Sequence, residues 1–152
     1  MKNVLLIISA IIIVLTVTVI IRFAYQKPLA KNELALRGNV FKVEVADTAL
    51  SRMRGLSGRQ SLGKDEGMLF VFPVSAQYTF WMKGMKFPLD LVWIQNGSVI
   101  GVTMNVPTPT STFDFATYLP PSPVSRVLEV NAGTVERLGV SIGDKIEIKL
   151  DK

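Results

Sequence analysis

The sequence predicts a mainly β domain, a compact antiparallel β-sandwich or barrel with one or two short helices, preceded by an N-terminal transmembrane helix. Three observations carry that reading. Beyond residue 40 apolar residues recur at strand spacing in short runs. Glycine, proline and asparagine punctuate those runs. A single long, uncharged apolar run stands apart at the N-terminus.

That run is Val4 to Ile21, VLLIISAIIIVLTVTVII, 18 residues without a charge. As a helix it would reach about 27 Å at roughly 1.5 Å per residue, close to the hydrocarbon thickness of a bilayer. It has no polar stripe to face water, which argues against a buried core helix. A cleaved export signal has a shorter apolar region followed by small residues. Here Arg22-Phe23-Ala24-Tyr25-Gln26-Lys27 follows instead. The expectation is an uncleaved anchor over residues 1–25 with a basic flank, and the lipid bilayer as its partner. Orientation stays open on the residues alone. Arg22, Lys27, Lys31 and Arg37 after the span outnumber Lys2 before it, which favours a cytoplasmic domain. A short basic tail before an apolar run is also how an export signal begins.

A polar linker over 26–37 then leads to a β domain over 38–152. Val40–Val45 alternates as a strand, and Thr48–Arg54 reads as a helix with Asp47 as its N-cap. Met68–Phe72 is a continuous apolar run between Gly67 and Pro73. Tyr78–Lys83, Leu89–Ile94 and Ser98–Met104 follow, the last two joined by Asn96-Gly97, a pair suited to the positive φ of a hairpin turn. Pro107–Ser111 and Leu119–Ser125 read as loops. Arg126–Val130, a short helix at Thr134–Leu138 ended by Gly139, and Lys145–Leu150 complete about seven strands.

Composition removes many chemistries. The chain has no cysteine and no histidine. Disulfides, thiolate nucleophiles, Cys- or His-ligated metals and the Ser-His-Asp triad are therefore excluded. No metal-ligand spacing is present, so neither a metal nor a cofactor is expected. The net charge of +5 is concentrated near the N-terminus: Lys2, Arg22, Lys27 and Lys31 precede Glu33, the first acidic residue. From Glu33 onward 13 basic side chains face 12 acidic ones, a net +1 that makes no case for nucleic acid. The basic flank of the apolar run suits lipid head groups instead.

Three pieces in the middle of the chain stand out together. They are Arg52-Met53-Arg54-Gly55-Leu56-Ser57-Gly58-Arg59, then Asp65-Glu66-Gly67-Met68-Leu69-Phe70-Val71-Phe72-Pro73, then Phe80-Trp81-Met82-Lys83 followed by Pro88-Leu89-Asp90-Leu91-Val92-Trp93-Ile94. With the ending Val127-Leu128-Glu129-Val130-Asn131-Ala132-Gly133-Thr134 and Gly143-Asp144, the chain resembles the bacterial and archaeal family DUF192 over nearly all of Val40–Ile148. One departure is visible: many members carry Asn-Thr after the Trp-Met-Lys element, where this chain has Gly84-Met85. The resemblance implies a compact, mostly-β domain, frequently preceded by an export signal or anchor. It tips the expected location toward an exported, extracytoplasmic domain. No reaction or ligand comes with it.

The candidate site residues are Arg54, Trp81, Lys83 and Asp90. On an extended strand Asp90 shares a face with Val92 and Ile94, while Leu89, Leu91 and Trp93 take the other. A carboxylate among apolar neighbours needs a partner, for which Arg54 and Lys83 are candidates. It is either a structural ion pair or cap, or a carboxylate at the mouth of a pocket. Trp81 and Lys83 share a face, an aromatic platform beside a cation that suits a sugar ring or an anionic group. The plainer alternative buries Trp81 and lets Lys83 snorkel outward. Arg52, Arg54 and Arg59 around Gly55-Leu56-Ser57-Gly58 suit phosphate or carboxylate, or simply a solvated helix end.

The expected function is a membrane-anchored envelope module binding a saccharide or small anionic ligand. A carboxylate-dependent hydrolase or lyase is the alternative, using Asp90 with Glu66, and a glycosidase-like site needs two carboxylates about 5 to 9.5 Å apart. A structural partner of another envelope protein is a third reading, with Phe113, Phe115 and Tyr118 as its apolar patch.

Overall fold

The computed structural model describes residues 14, 16, 32–110 and 116–150. Apart from Val14 and Thr16 the expected anchor lies outside the described residues, as do residues 26–31 of the linker and Phe113 and Phe115. Among those described, no helix is long and apolar enough to cross a membrane.

Among the described residues from 32 to 150 there are nine strands and two helices: β1 Glu33–Leu36, β2 Asn39–Ala46, α1 Ala49–Arg54, β3 Glu66–Ala76, β4 Phe80–Trp81, β5 Leu89–Gln95, β6 Ser98–Val106, β7 Thr117–Tyr118, β8 Val124–Asn131, α2 Thr134–Leu138 and β9 Ile146–Lys149. Seven strands form one sheet in the order β6-β5-β8-β3-β2-β1-β9, and β4 pairs with β7 separately. The sheet curls into a half-barrel. Its edge strands meet at one end, where Ser98 bridges Lys145 and the Val99 amide donates to the Asp144 carbonyl at 2.9 Å.

The expected sandwich or barrel is thus a curled single sheet, and it is not wholly antiparallel. β2 and β3 run parallel, so the chain must cross over between them. That crossover carries α1 and lays Leu56 against the outer face of the sheet. The inner face closes on itself around Leu34, Phe41, Leu69, Val92, Ile94 and Leu128. The outer face is covered by Leu56, Phe80, Met82 and Met85 over Phe70, Leu91, Trp93 and Val127. Covered on both faces, β5 is buried from Leu89 through Ile94.

Local chemistry sets several boundaries. Asn96 and Gly97 take φ of 50° and 71° in the β5–β6 hairpin, as that pair predicts. The N-cap of α1 is Thr48 rather than Asp47. Thr48 and Ser51 form a reciprocal capping box, in which the Ser51 amide donates to Thr48 Oγ1 at 3.1 Å and the Thr48 amide to Ser51 Oγ at 2.9 Å. Gly139 ends α2 in the left-handed region, as expected. Glu33–Leu36, expected in the linker, is β1, held between β2 and β9. Strand β3 continues through Pro73, where its pairing with β8 is interrupted between Val71 and Ala76.

Candidate functional site

One concave site gathers much of the distinctive middle sequence. It is a cleft of about 170 Å³ between the crossover and the outer face of the sheet. Arg52, Met53, Arg54 and Gly55 form one wall, and Tyr78, Phe80, Trp81 and Met85 the other. Phe70 and Phe72 of β3 and Glu129 of β8 lie beneath.

The wall bearing α1 is positioned by its own polar groups, since no residue of that helix is buried. Arg52 donates to the Asp47 carbonyl and, at 2.8 Å, to the Val71 carbonyl, and its guanidinium lies 5.2 Å from the Phe72 ring centre. Gly55 closes the helix at φ 49°, where a Cβ would approach Phe70 Cζ at 3.3 Å, so the turn needs glycine. Ser57 then donates to the Lys83 carbonyl at 2.6 Å and the Gly58 amide to the Gly84 carbonyl at 2.9 Å. These bonds tie the crossover to the turn that follows β4. Gly84-Met85, the family departure, places a glycine at φ 71° there and turns the Met85 side chain into the cleft.

The opposite wall is aromatic. The Phe72 and Tyr78 rings stack with centroids 3.6 Å apart, and Phe80 stands edge-on to Phe70 at 4.9 Å. Trp81 is 43 % exposed at the rim, so it is not a core residue; the core tryptophan is Trp93.

Glu129 carries the cleft's unusual chemistry. It is 5 % exposed, and among the described residues its carboxyl makes no hydrogen bond or ion pair. Its strand neighbours across the sheet are Met68 and Leu91, both buried and apolar. Burial without a compensating charge pushes its pKa up to about 8, so at neutral pH the side chain is mostly a neutral acid. The Val127-Leu128-Glu129-Val130 run held the signal for this: a lone carboxyl on an apolar strand, the same feature that singles out Asp90.

Of the four sequence-predicted residues, the cleft brings together Arg54 and Trp81. Lys83 is exposed beside it, and its side chain does not line the cleft. Asp90 is elsewhere. Fully buried on the inner face with Val92 and Ile94, it accepts 2.8 Å hydrogen bonds from the amides of Asn105 and Val135. Neither Arg54 nor Lys83 is its partner; backbone amides take their place. Its role is a cap on the first turn of α2, whose own N-cap, Gly133, has no side chain to offer. Glu66 is exposed and folds back to accept from the Gly63 amide at 2.9 Å. Arg59 forms a bidentate pair with exposed Glu44 and does not line the cleft. Tyr118 packs against the outer-face core. No group of three or more acidic residues among those described could hold a metal ion.

The curled, mainly β sheet is a fold that solved structures share. The chain belongs to the DUF192 family, described as "Uncharacterized ACR", whose profile matches residues 31–148. Among solved structures it is similar to a protein of unknown function from Novosphingobium aromaticivorans, with 32% identity and a TM-score of 0.70 over 76% of this chain and 83% of that one. It is also similar to a protein from Sinorhizobium meliloti described as a "putative transcription regulator", with 36% identity and a TM-score of 0.69 over 81% and 97% of the two chains. No curated protein matches.

Proposed function

We propose that the protein is a membrane-anchored ligand-binding module of the cell envelope, taking a small ring-sized ligand in the cleft between Arg54 and Trp81. One observation carries the binding reading: two guanidinium groups and an exposed indole border a concave, aromatic-walled site with a buried acid beneath it. Such a few polar groups in a mostly apolar recess is how small-molecule sites are commonly built. The anchor rests on Val4–Ile21, whose length and lack of charge suit a bilayer span. A hydrolase of the two-carboxylate type has less support, because Glu129 is the one carboxyl among the described residues that line the cleft.

The test is thermal unfolding of the full-length chain in nonionic detergent against a panel of neutral, acidic and amino monosaccharides. At least one should raise the Tm of wild type and fail to raise that of Trp81→Ala. A panel that leaves the wild-type Tm unchanged, or ligands that stabilise both proteins equally, would remove the cleft as the site. For the location, a phosphatase fused after Lys152 reports which side of the membrane the domain occupies. Phosphatase activity is expected, and its absence would place the domain in the cytoplasm.

A further inference from the structure

We propose, resting on that binding reading, that the cleft selects an acidic ring compound, holding its anionic group at Arg54 and Arg52 while Glu129 donates a hydrogen bond to an oxygen of the ring. The ligand class is that of a uronic acid: a compact polar ring bearing one carboxylate.

The argument begins with what the cleft leaves uncompensated. Arg52 and Arg54 both line it, and among the described residues neither forms an ion pair. The bonds of Arg52 to the Asp47 and Val71 carbonyls run through a single nitrogen, Nη1. Its remaining N–H groups, with all of those on Arg54, are donors in the fork geometry that matches a carboxylate. Arg54 is exposed, so it can follow a ligand into place.

The floor supplies the second half. Glu129 is more than nine-tenths buried, lines the cleft, and has no protein partner among the described residues. A buried polar group in that state is completed by something outside the chain. An ionised carboxylate there would repel an anionic ligand. A neutral carboxylic acid instead offers one O–H donor and an acceptor oxygen, the pair a sugar hydroxyl or ring oxygen can meet. Burial among Met68, Phe70 and Leu91 keeps the acid neutral until the pH nears 8. The charged and titratable groups facing it across the cleft are Arg52 and Arg54 of the crossover and Tyr78 before β4; the lining residues of β3 carry none. The apolar face of the ring would then rest on Trp81.

The proposal is tested by isothermal titration of the full-length chain in nonionic detergent with D-glucuronate, D-glucose and D-glucosamine at pH 6 and pH 9. Glucuronate should bind at pH 6 at least tenfold more tightly than glucose, and Arg54→Ala, a change to an exposed side chain, should remove most of that preference. At pH 9, about one unit above the pKa of Glu129, only about a tenth of the acid keeps its proton. Glucuronate affinity should therefore fall about tenfold between the two pH values. Glu129→Gln, which cannot ionise and keeps a donor, should bind at pH 6 and lose that fall, whereas Tyr78→Phe should retain it. Glucose binding as well as glucuronate, glucosamine binding better than either, or equal glucuronate affinity at both pH values would each overturn the acidic-ligand proposal while leaving a binding module standing. Absence of binding by all three, in wild type and Glu129→Gln alike, would overturn both.

Discussion

The Val135 amide donates a 2.8 Å hydrogen bond to Asp90, which joins the first turn of α2 to the start of β5. The other carboxylate oxygen accepts from the Asn105 amide, also at 2.8 Å, so one side chain fixes α2 and the end of β6 together. Replacing Asp90 by Asn keeps the volume and removes one of the two acceptors, turning an NH₂ toward a backbone N–H. Hydrogen bonds to charged groups contribute about 1.5–3 kcal/mol each, and an unmet buried donor adds to the loss. Asp90→Asn should destabilise the domain by about 2–4 kcal/mol and lower Tm by roughly 8–16 °C at about 4 °C per kcal/mol. Urea and thermal unfolding of wild type and variant check this. A variant as stable as wild type would show that Asp90 is not the cap of α2.

How far the residues alone could lead is clearest on β5. Its alternation placed Asp90 with Val92 and Ile94, opposite Leu89, Leu91 and Trp93, and those faces are the observed ones. What alternation cannot give is the partner across space. Asn105 and Val135 lie 15 and 45 residues away and contribute backbone amides, which leave no trace in side-chain identity. Trp81 and Lys83, expected on one face, are both exposed, and Phe80 and Met82, expected on the other, are both buried, although β4 is only two residues long. The cleft itself was half legible. Its arginines and Trp81 stand in distinctive motifs, but bringing them over Glu129 depends on the parallel β2–β3 pairing and the crossover it demands. Strand β1 was missed because four residues beside a polar stretch are too few for a pattern, and its burial comes from neighbours β2 and β9.

The two tryptophans should separate binding from stability. Trp93 is 1 % exposed, stands edge-on to Phe80 at 5.4 Å, and donates from Nε1 to Thr103 Oγ1 at 3.0 Å. Trp93→Ala should cost about 3–5 kcal/mol through the cavity it leaves. Trp81 is 43 % exposed, and Trp81→Ala should cost below about 1 kcal/mol while weakening ligand binding. Parallel urea titrations read the first pair of values. A Trp81 variant as unstable as the Trp93 variant would make Trp81 a core residue and remove the argument for it as a platform.

Gly67 tests how tightly β3 and β8 pack behind the cleft. A Cβ there would lie 2.9 Å from the Glu129 carbonyl oxygen and 3.1 Å from Leu128 Cδ1. The first of these contacts is with backbone, which cannot rotate aside as a side chain can. Gly67→Ala should therefore destabilise by about 1–3 kcal/mol, as overpacking of a close-packed core generally does. It should also shift the backbone carrying Glu129, and hence lower affinity for any ligand of the cleft. Unfolding and titration on the same preparation check both effects. Unchanged stability would mean that the strands have room that the observed distances deny.

Glu129 sets the sign of the pH dependence. Its pKa is raised from 4.5 in the open chain to about 8 in the folded domain, by burial. Between those values the folded chain holds a proton that the unfolded chain has released. The group's favourable contribution is therefore complete below about pH 4.5 and is lost as pH rises through about 8, beyond which the curve flattens. At about 1.4 kcal/mol per unit, the loss is on the order of 3–5 kcal/mol. Glu44 acts oppositely: the hydrogen bond from Arg59 lowers its pKa, so its contribution is present above 4.5 and lost as pH falls. That pair is solvent-exposed and contributes at most about 1 kcal/mol, so measurements from pH 5 to 9 isolate Glu129. Wild type should lose stability steadily over that range. Glu129→Gln should have a nearly flat profile and be the more stable of the two at pH 9. Urea unfolding at pH 5, 7 and 9 decides it, and parallel profiles for the two proteins would mean that the carboxyl reaches water and ionises in the ordinary carboxylate range.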